Sequence, residues 1–101
     1  MACNYLFLAS ARDEIAEVAE YLSEVTGSNK ASDSFLAQIE RSIDVISEFP
    51  TMYAISRMPE LAAKGYRVAY VGNYAMLYTF EEETIFIAHI FHQRQDYASL
   101  V

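Results

Sequence analysis

Three side chains with complementary chemistry lie close together near the end of the sequence. His92 offers an imidazole that can move protons, Arg94 a guanidinium that can hold a phosphate, and Tyr97 a ring on which a base can stack. Their spacing could bring all three around one pocket, a set sufficient for metal-free RNA cleavage by 2′-hydroxyl attack. The structural alternative stays open, because a lone His at the end of an apolar strand is more often a hydrogen-bonded scaffold residue.

Arg67 stands out as a base inside an otherwise apolar stretch, facing opposite to Tyr66 and Val68 in an extended chain. A buried guanidinium is costly unless it is paired. In the functional interpretation, Arg67 points into a groove beneath a sheet and meets a phosphate or a partner carboxylate. In the structural one, it lies at a sheet edge and reaches water or an internal acid.

Metal and disulfide chemistry are not expected. His89 and His92 are three apart in a predicted strand and so face opposite ways, which excludes a simple two-ligand metal pair. The single cysteine, Cys3, can form neither an internal disulfide nor a CxxC zinc site, so no oxidising compartment is implied. We therefore expect a cytoplasmic protein without metal or cofactor.

Length and charge narrow the classes of partner. The 101 residues predict one domain, 1–101, and no stretch approaches the ~18 apolar residues of a membrane span, so no membrane partner is expected. Fourteen acids against seven bases give a net charge of −7, which argues against broad phosphate binding. Residues 51–101 hold five acids, four bases and both histidines, so this half could still form a local anion site.

Two helices are predicted after a short strand at residues 4–9. Ser10 and Asp13 have the types and spacing of a capping box, so the first helix is expected to begin at Ser10 and to stop at Gly27. A second helix is predicted from about Asn29 to Phe49, before Pro50, from apolar residues at helical spacing: Phe35, Leu36, Ile39, Ile43 and Ile46.

The second half changes to the period of strands. Pro50 to Gly65 is predicted as a loop with one helical turn at Pro59 to Ala63, and residues 94–101 as a closing helical turn. Between them, three β-rich runs predict an antiparallel meander: Tyr66–Val71, Tyr74–Phe80 and Ile85–His92. The fold class is therefore α+β, with an N-terminal strand and a two-helix hairpin packed on a C-terminal meander.

This pattern resembles the RelE/ParE superfamily of bacterial type II toxins, found in toxin-antitoxin or plasmid-stabilisation systems. The similarity lies in Gly65-Tyr66-Arg67-Val68, in Asn73-Tyr74 with Tyr78, and in the ending from Ile87 to Tyr97. The opening strand and first helix, and Phe49-Pro50, are similar too. The resemblance implies a growth inhibitor neutralised by a cognate antitoxin, whose toxin-binding segment is disordered when free.

Within the superfamily, the resemblance implies alternative targets. A ribosome-dependent mRNA endonuclease would use Arg67 and Arg94 as phosphate clamps and His92 as acid and base, with Tyr97, Arg57 and Lys64 binding substrate. Arg57 and Lys64 are the only bases where such relatives often carry extra lysines, and the ending resembles the ParE branch, which inhibits DNA gyrase. The sequence therefore favours a gyrase inhibitor. An inactive antitoxin-binding member and a homodimer remain open alternatives.

Overall fold

A computed structural model describes residues 3–94. The chain forms, in order, β1 (Asn4–Phe7), α1 (Ala9–Thr26), α2 (Lys30–Glu48), α3 (Pro59–Ala62), β2 (Arg67–Val71), β3 (Tyr74–Glu81) and β4 (Thr84–His92). The predicted α+β class and the order of its elements are confirmed, with most bounds within two residues of prediction. The closing turn predicted at 94–101 falls almost wholly outside the described residues.

The predicted capping box at the start of α1 is wrong. The N-cap residue is Leu8, and no side chain caps the helix. Ser10 instead donates its hydroxyl to the Ala88 carbonyl oxygen, 2.6 Å away. A strand edge that lacks a neighbour has free carbonyls, and the Ser10 hydroxyl donates to one of them instead of accepting a backbone N–H of its own helix as a cap would. The stop at Gly27 is confirmed, with φ at +69° and its N–H bonded to the Ser23 carbonyl.

The sheet has the strand order β1-β4-β3-β2. Strands β2, β3 and β4 form the predicted antiparallel meander, while β1 pairs in parallel with β4, with Phe7 opposite Ile87. The β3–β4 register shifts by one residue, because Tyr78 lies opposite Ile87 and Leu77 opposite His89. Ala88 is thus an extra residue, a bulge that changes which backbone groups of β4 face its outer edge.

The face of the sheet that carries α1 and α2, the helix face, holds the main core. Strand residues including Met76, Tyr78 and Ile87 pack there against the apolar side of α2, which buries Phe35, Ile39, Ile43 and Ile46. The predicted α2 pattern is confirmed except at Leu36, which is 38% exposed.

The opposite face of the sheet, the outer face, holds a smaller cluster. Leu61 of α3 covers Ala75, Leu77 and Phe91 there, with Tyr66 and Val68 packed around it. The helical turn expected near Pro59 is therefore confirmed, and Leu61 explains its position. No helix among residues 3–94 is long and apolar enough to cross a membrane.

Candidate functional site

Arg67 begins β2 and points to the helix face, as do Ala69 and Val71 on the same strand. Its Nη1 donates a 2.6 Å hydrogen bond to the carbonyl oxygen of Tyr53, and its backbone forms a bridge with Ile55. Within residues 3–94, no carboxylate lies within ion-pair distance of this guanidinium. Arg67 therefore anchors the loop that follows α2.

Tyr78 holds the same loop from the neighbouring strand. It lies opposite Arg67 in the register and donates its hydroxyl to the Pro50 carbonyl oxygen, 3.1 Å away. Burial raises the pKa of this phenol to about 12, an effect that the nearby Arg67 charge opposes. Two polar side chains of the sheet thus satisfy two carbonyls of the loop, at the end of the sheet where α2 stops.

His92 and Arg94 lie together at the other end of the sheet. His92 is opposite Tyr74, with the two rings 5.4 Å apart and nearly perpendicular. Its Nδ1 accepts the backbone N–H of Arg94 at 3.1 Å, so the neutral ring carries its proton on Nε2. With Asn73 and Gln93 they line an open pocket of about 440 Å³.

A second pocket shares His92 and carries negative charge. Glu14 and Glu17 of α1 border this space together with Tyr21, and its volume is about 300 Å³. His92 therefore lies between two acidic side chains of α1 on one side and the Arg94 pocket on the other. A phosphate brought to His92 from the α1 side would meet carboxylates.

The structure does not bring Arg67 to His92. Arg67 pairs with Tyr78 and His92 with Tyr74, on opposite sides of β3. Their positions differ by four residues along β3 and by two strand spacings across the sheet. With a rise of about 3.3 Å per residue and a spacing of about 4.8 Å between strands, the Cα atoms of Arg67 and His92 lie roughly 16 Å apart. The Arg67 guanidinium is tied to Tyr53 at the far end, so Arg94 is the cation beside His92.

Arg57 and Lys64 do not line this pocket. Arg57 and Lys64 are exposed on either side of α3, whose Leu61 packs on the outer face. Tyr97 lies outside the described residues. His89 and His92 face opposite sides of the sheet, as predicted, since His89 stacks on Phe91 of the outer face with ring centres 5.1 Å apart. Among residues 3–94, no three His, Cys, Asp or Glu side chains are grouped to hold a metal ion.

Sequence reasoning missed the role of Glu14. Its carboxylate accepts the backbone N–H of Ile90 at 3.0 Å and contacts His89 Nδ1 at 3.1 Å. Together with the bond from Ser10 to Ala88, this side chain takes the place of a neighbouring strand along β4 beyond the end of β1. The only signal in the sequence is that Ser10 and Glu14 lie one helical turn apart, just after a strand.

The fold has a known counterpart. The crystal structure of the toxin-antitoxin complex RelBE2 from Mycobacterium tuberculosis contains a chain that aligns with a TM-score of 0.61 and 21% sequence identity. The alignment covers 91% of the present chain and 99% of that one. At this identity the likeness establishes the fold alone.

Sequence comparison gives the family. No curated protein matches the chain. The family described as "ParE toxin of type II toxin-antitoxin system, parDE" matches residues 5–97, which include α1, α2, α3 and, apart from Asn4, the strands β1 to β4. The chain therefore belongs to the ParE toxin family of type II toxin-antitoxin systems, within the RelE/ParE superfamily.

Proposed function

We propose that this toxin stops growth by inhibiting DNA gyrase and that a cognate antitoxin neutralises it. Membership of the ParE family supports this target, since the resemblance to the ParE branch implies gyrase inhibition. The observation that carries the proposal against RNA cleavage is the separation of Arg67 from His92 and Arg94. A phosphate clamp that uses both arginines would need their guanidinium groups on one phosphate, and Arg67 is held at the Tyr53 carbonyl.

Charge gives independent support. The net charge is −7, and Glu14 and Glu17 border the pocket that His92 shares with α1. Ribosomal RNA and mRNA are dense in phosphates, so this surface would repel the substrate of a nuclease. A protein target such as gyrase needs no such neutralisation, because interfaces between proteins rely on apolar and hydrogen-bonding contacts.

One observation favours a second candidate function. His92 and Arg94 do share an open pocket, and Arg94 sits beside an imidazole whose neutral form has a proton on Nε2. An acid or base and a phosphate-binding cation are two of the parts that a ribosome-dependent mRNA endonuclease requires. Among residues 3–94, Arg94 is the one base that lines a pocket with His92, so this candidate would have to work with that cation alone.

Two assays on the same protein decide between these targets. Toxin released from its antitoxin complex is added to purified gyrase with relaxed plasmid and ATP, and separately to ribosomes programmed with mRNA. We expect loss of supercoiling and intact mRNA. Arg67→Ala should inhibit gyrase as well as the unmodified toxin does. Codon-specific mRNA cleavage that disappears in His92→Ala and Arg94→Ala, with gyrase unaffected, would contradict the proposal. Inactivity in both assays would favour the inactive antitoxin-binding member.

A further inference from the structure

The two helices leave part of the helix face uncovered beside β1. Tyr5 and Phe7 of β1 and Ile15 of α1 border an open space against the apolar side of α2. We call this space, of about 350 Å³, the β1 cleft. It continues over Ile15 and Leu36 toward Ala19 of α1. Tyr5 is 52% exposed at its rim and Leu36 is 38% exposed, so the cleft presents contiguous apolar surface of the kind that marks an interaction site.

The outer edge of β1 borders the same cleft and offers backbone hydrogen bonds. The Asn4 N–H donates to the Glu83 carbonyl at 3.2 Å and the Leu8 N–H to the Ile87 carbonyl at 2.9 Å, so these groups face β4. Backbone groups alternate along a strand, and those of Tyr5 and Phe7 therefore face away from β4. No strand among residues 3–94 pairs with this edge.

The charge around the β1 cleft is negative. Glu40 and Asp44, one turn apart on α2, line it, and no base of residues 3–94 lies within ion-pair distance of either. Arg12 of α1 lines only the continuation of the cleft, beside Phe7 and Ile15, so the two carboxylates outnumber this one base. An apolar segment flanked by Lys or Arg would be attracted to this surface, whereas an acidic one would be repelled.

We propose that the toxin-binding segment of the cognate antitoxin is amphipathic and net basic, and that it docks in the β1 cleft. Its apolar side chains cover Ile15 and Leu36, and its Lys or Arg side chains pair with Glu40 and Asp44. This inference rests on the proposed function only in requiring an antitoxin. It is independent of whether the toxin acts on gyrase.

Charge reversal in the full-length toxin tests the docking site. The probe is the protein encoded by the reading frame next to the toxin gene, titrated into the toxin by calorimetry. We expect Glu40→Lys with Asp44→Lys to raise Kd at least 10-fold and to flatten its dependence on salt. The matched control is Glu20→Lys with Glu24→Lys, which makes the same charge change at the same spacing on an exposed part of α1 outside the cleft. This control should change Kd less than 2-fold.

Substitutions at two exposed apolar residues of α2 test the apolar part of the proposed interface. Leu36→Asp should weaken binding at least 10-fold, while Val45→Asp, on the same helix but outside the cleft and 46% exposed, should not. Thermal melts of each free variant check that it is folded. Replacing antitoxin Lys or Arg residues by Glu should restore binding to the Glu40→Lys, Asp44→Lys toxin. That rescue identifies a direct contact, whereas a folding defect would not be repaired by it.

Two results would overturn the inference. One is that the cleft variants and the control variants weaken antitoxin binding equally. The other is an adjacent-frame protein that binds tightly through an acidic segment. If binding behaves as expected but the toxin leaves gyrase supercoiling intact, the docking site stands and only the proposed target fails.

Discussion

Arg67 uses its charge inside the protein, where its guanidinium holds the Tyr53 carbonyl beside the ring of Tyr78. A cation in an apolar strand can bind an external ligand or an acceptor inside the protein, and the sequence is compatible with both. The structure provides the acceptor in the Tyr53 carbonyl, a neutral group that the loop would otherwise leave unsatisfied. This partner could not be predicted, because it lies 14 residues away in a segment without a regular period.

Removing the Arg67 side chain should lower the stability of the toxin and leave its activity unchanged. We expect Arg67→Ala to lower the free energy of unfolding by about 2 kcal/mol, the range for a hydrogen bond to a charged group. Arg41→Ala is the matched control, because Arg41 is exposed on α2. Its free energy of unfolding should stay within about 0.5 kcal/mol of that of the unmodified toxin. Denaturant titration measures both. A loss of growth inhibition in Arg67→Ala at full stability would instead place Arg67 in the functional site.

Tyr78 should make stability depend on pH in the alkaline range. Burial raises its pKa to about 12 in the folded chain, above the value of 10.0 expected for an unfolded tyrosine. The folded state therefore binds this proton more tightly, and the resulting stabilisation is complete below pH 10 and lost as the pH rises toward 12.

The variant Tyr78→Phe isolates that effect from the other tyrosines. At pH 7 it should be less stable by about 1 kcal/mol, because the Pro50 carbonyl loses its donor. The difference from the unmodified protein should then shrink or reverse in melts between pH 10 and pH 12. A difference that stays constant over this range would mean that Tyr78 is not buried as described.

At the scale of elements, α1 completes the sheet with side chains where β1 ends. Glu14→Ala removes the acceptor of the Ile90 N–H and the partner of His89. We expect a loss of about 1–3 kcal/mol, the cost of leaving a buried donor unsatisfied, and faster hydrogen exchange at the Ile90 amide. Glu17 is an exposed acid on the same helix, and Glu17→Ala should change neither the stability nor the exchange rate of the Ile90 amide. Unchanged exchange at Ile90 in Glu14→Ala would contradict this role.

The elements themselves could largely be predicted from the sequence, because periodicity, Gly27, Pro50 and the Gly72-Asn73 turn are local signals. The pairing of β1 with β4 could not, since nothing local selects a partner 80 positions away. The roles of Ser10 and Glu14 follow from that pairing and from the bulge at Ala88. Of the candidate site, the grouping of His92 with Arg94 was predictable from their short spacing, whereas the position of Arg67 depended on the register of β3.

At the scale of the whole molecule, the net charge of −7 should give the free toxin and its complex opposite responses to salt. Exposed apolar side chains such as Tyr5, Leu36 and Phe49 favour self-association, which like-charge repulsion opposes at low ionic strength. The Debye screening length falls from about 30 Å at 0.01 M salt to about 8 Å at 0.15 M. Light scattering should therefore show more self-association of free toxin as salt rises, while binding of a basic antitoxin weakens.

The order of strands also bears on how the toxin is made. Strand β4 is the last described strand along the chain, yet it lies inside the sheet between β1 and β3. Ribosomes add about 5–20 residues per second, so Phe7 waits roughly 4–16 s for Ile87 to be synthesised. Until then β1 has no neighbouring strand, and α2 can pack only against α1 and the β2–β3 hairpin. A nascent chain that stalls before β4 cannot assemble the sheet, so truncated translation products contain no folded toxin.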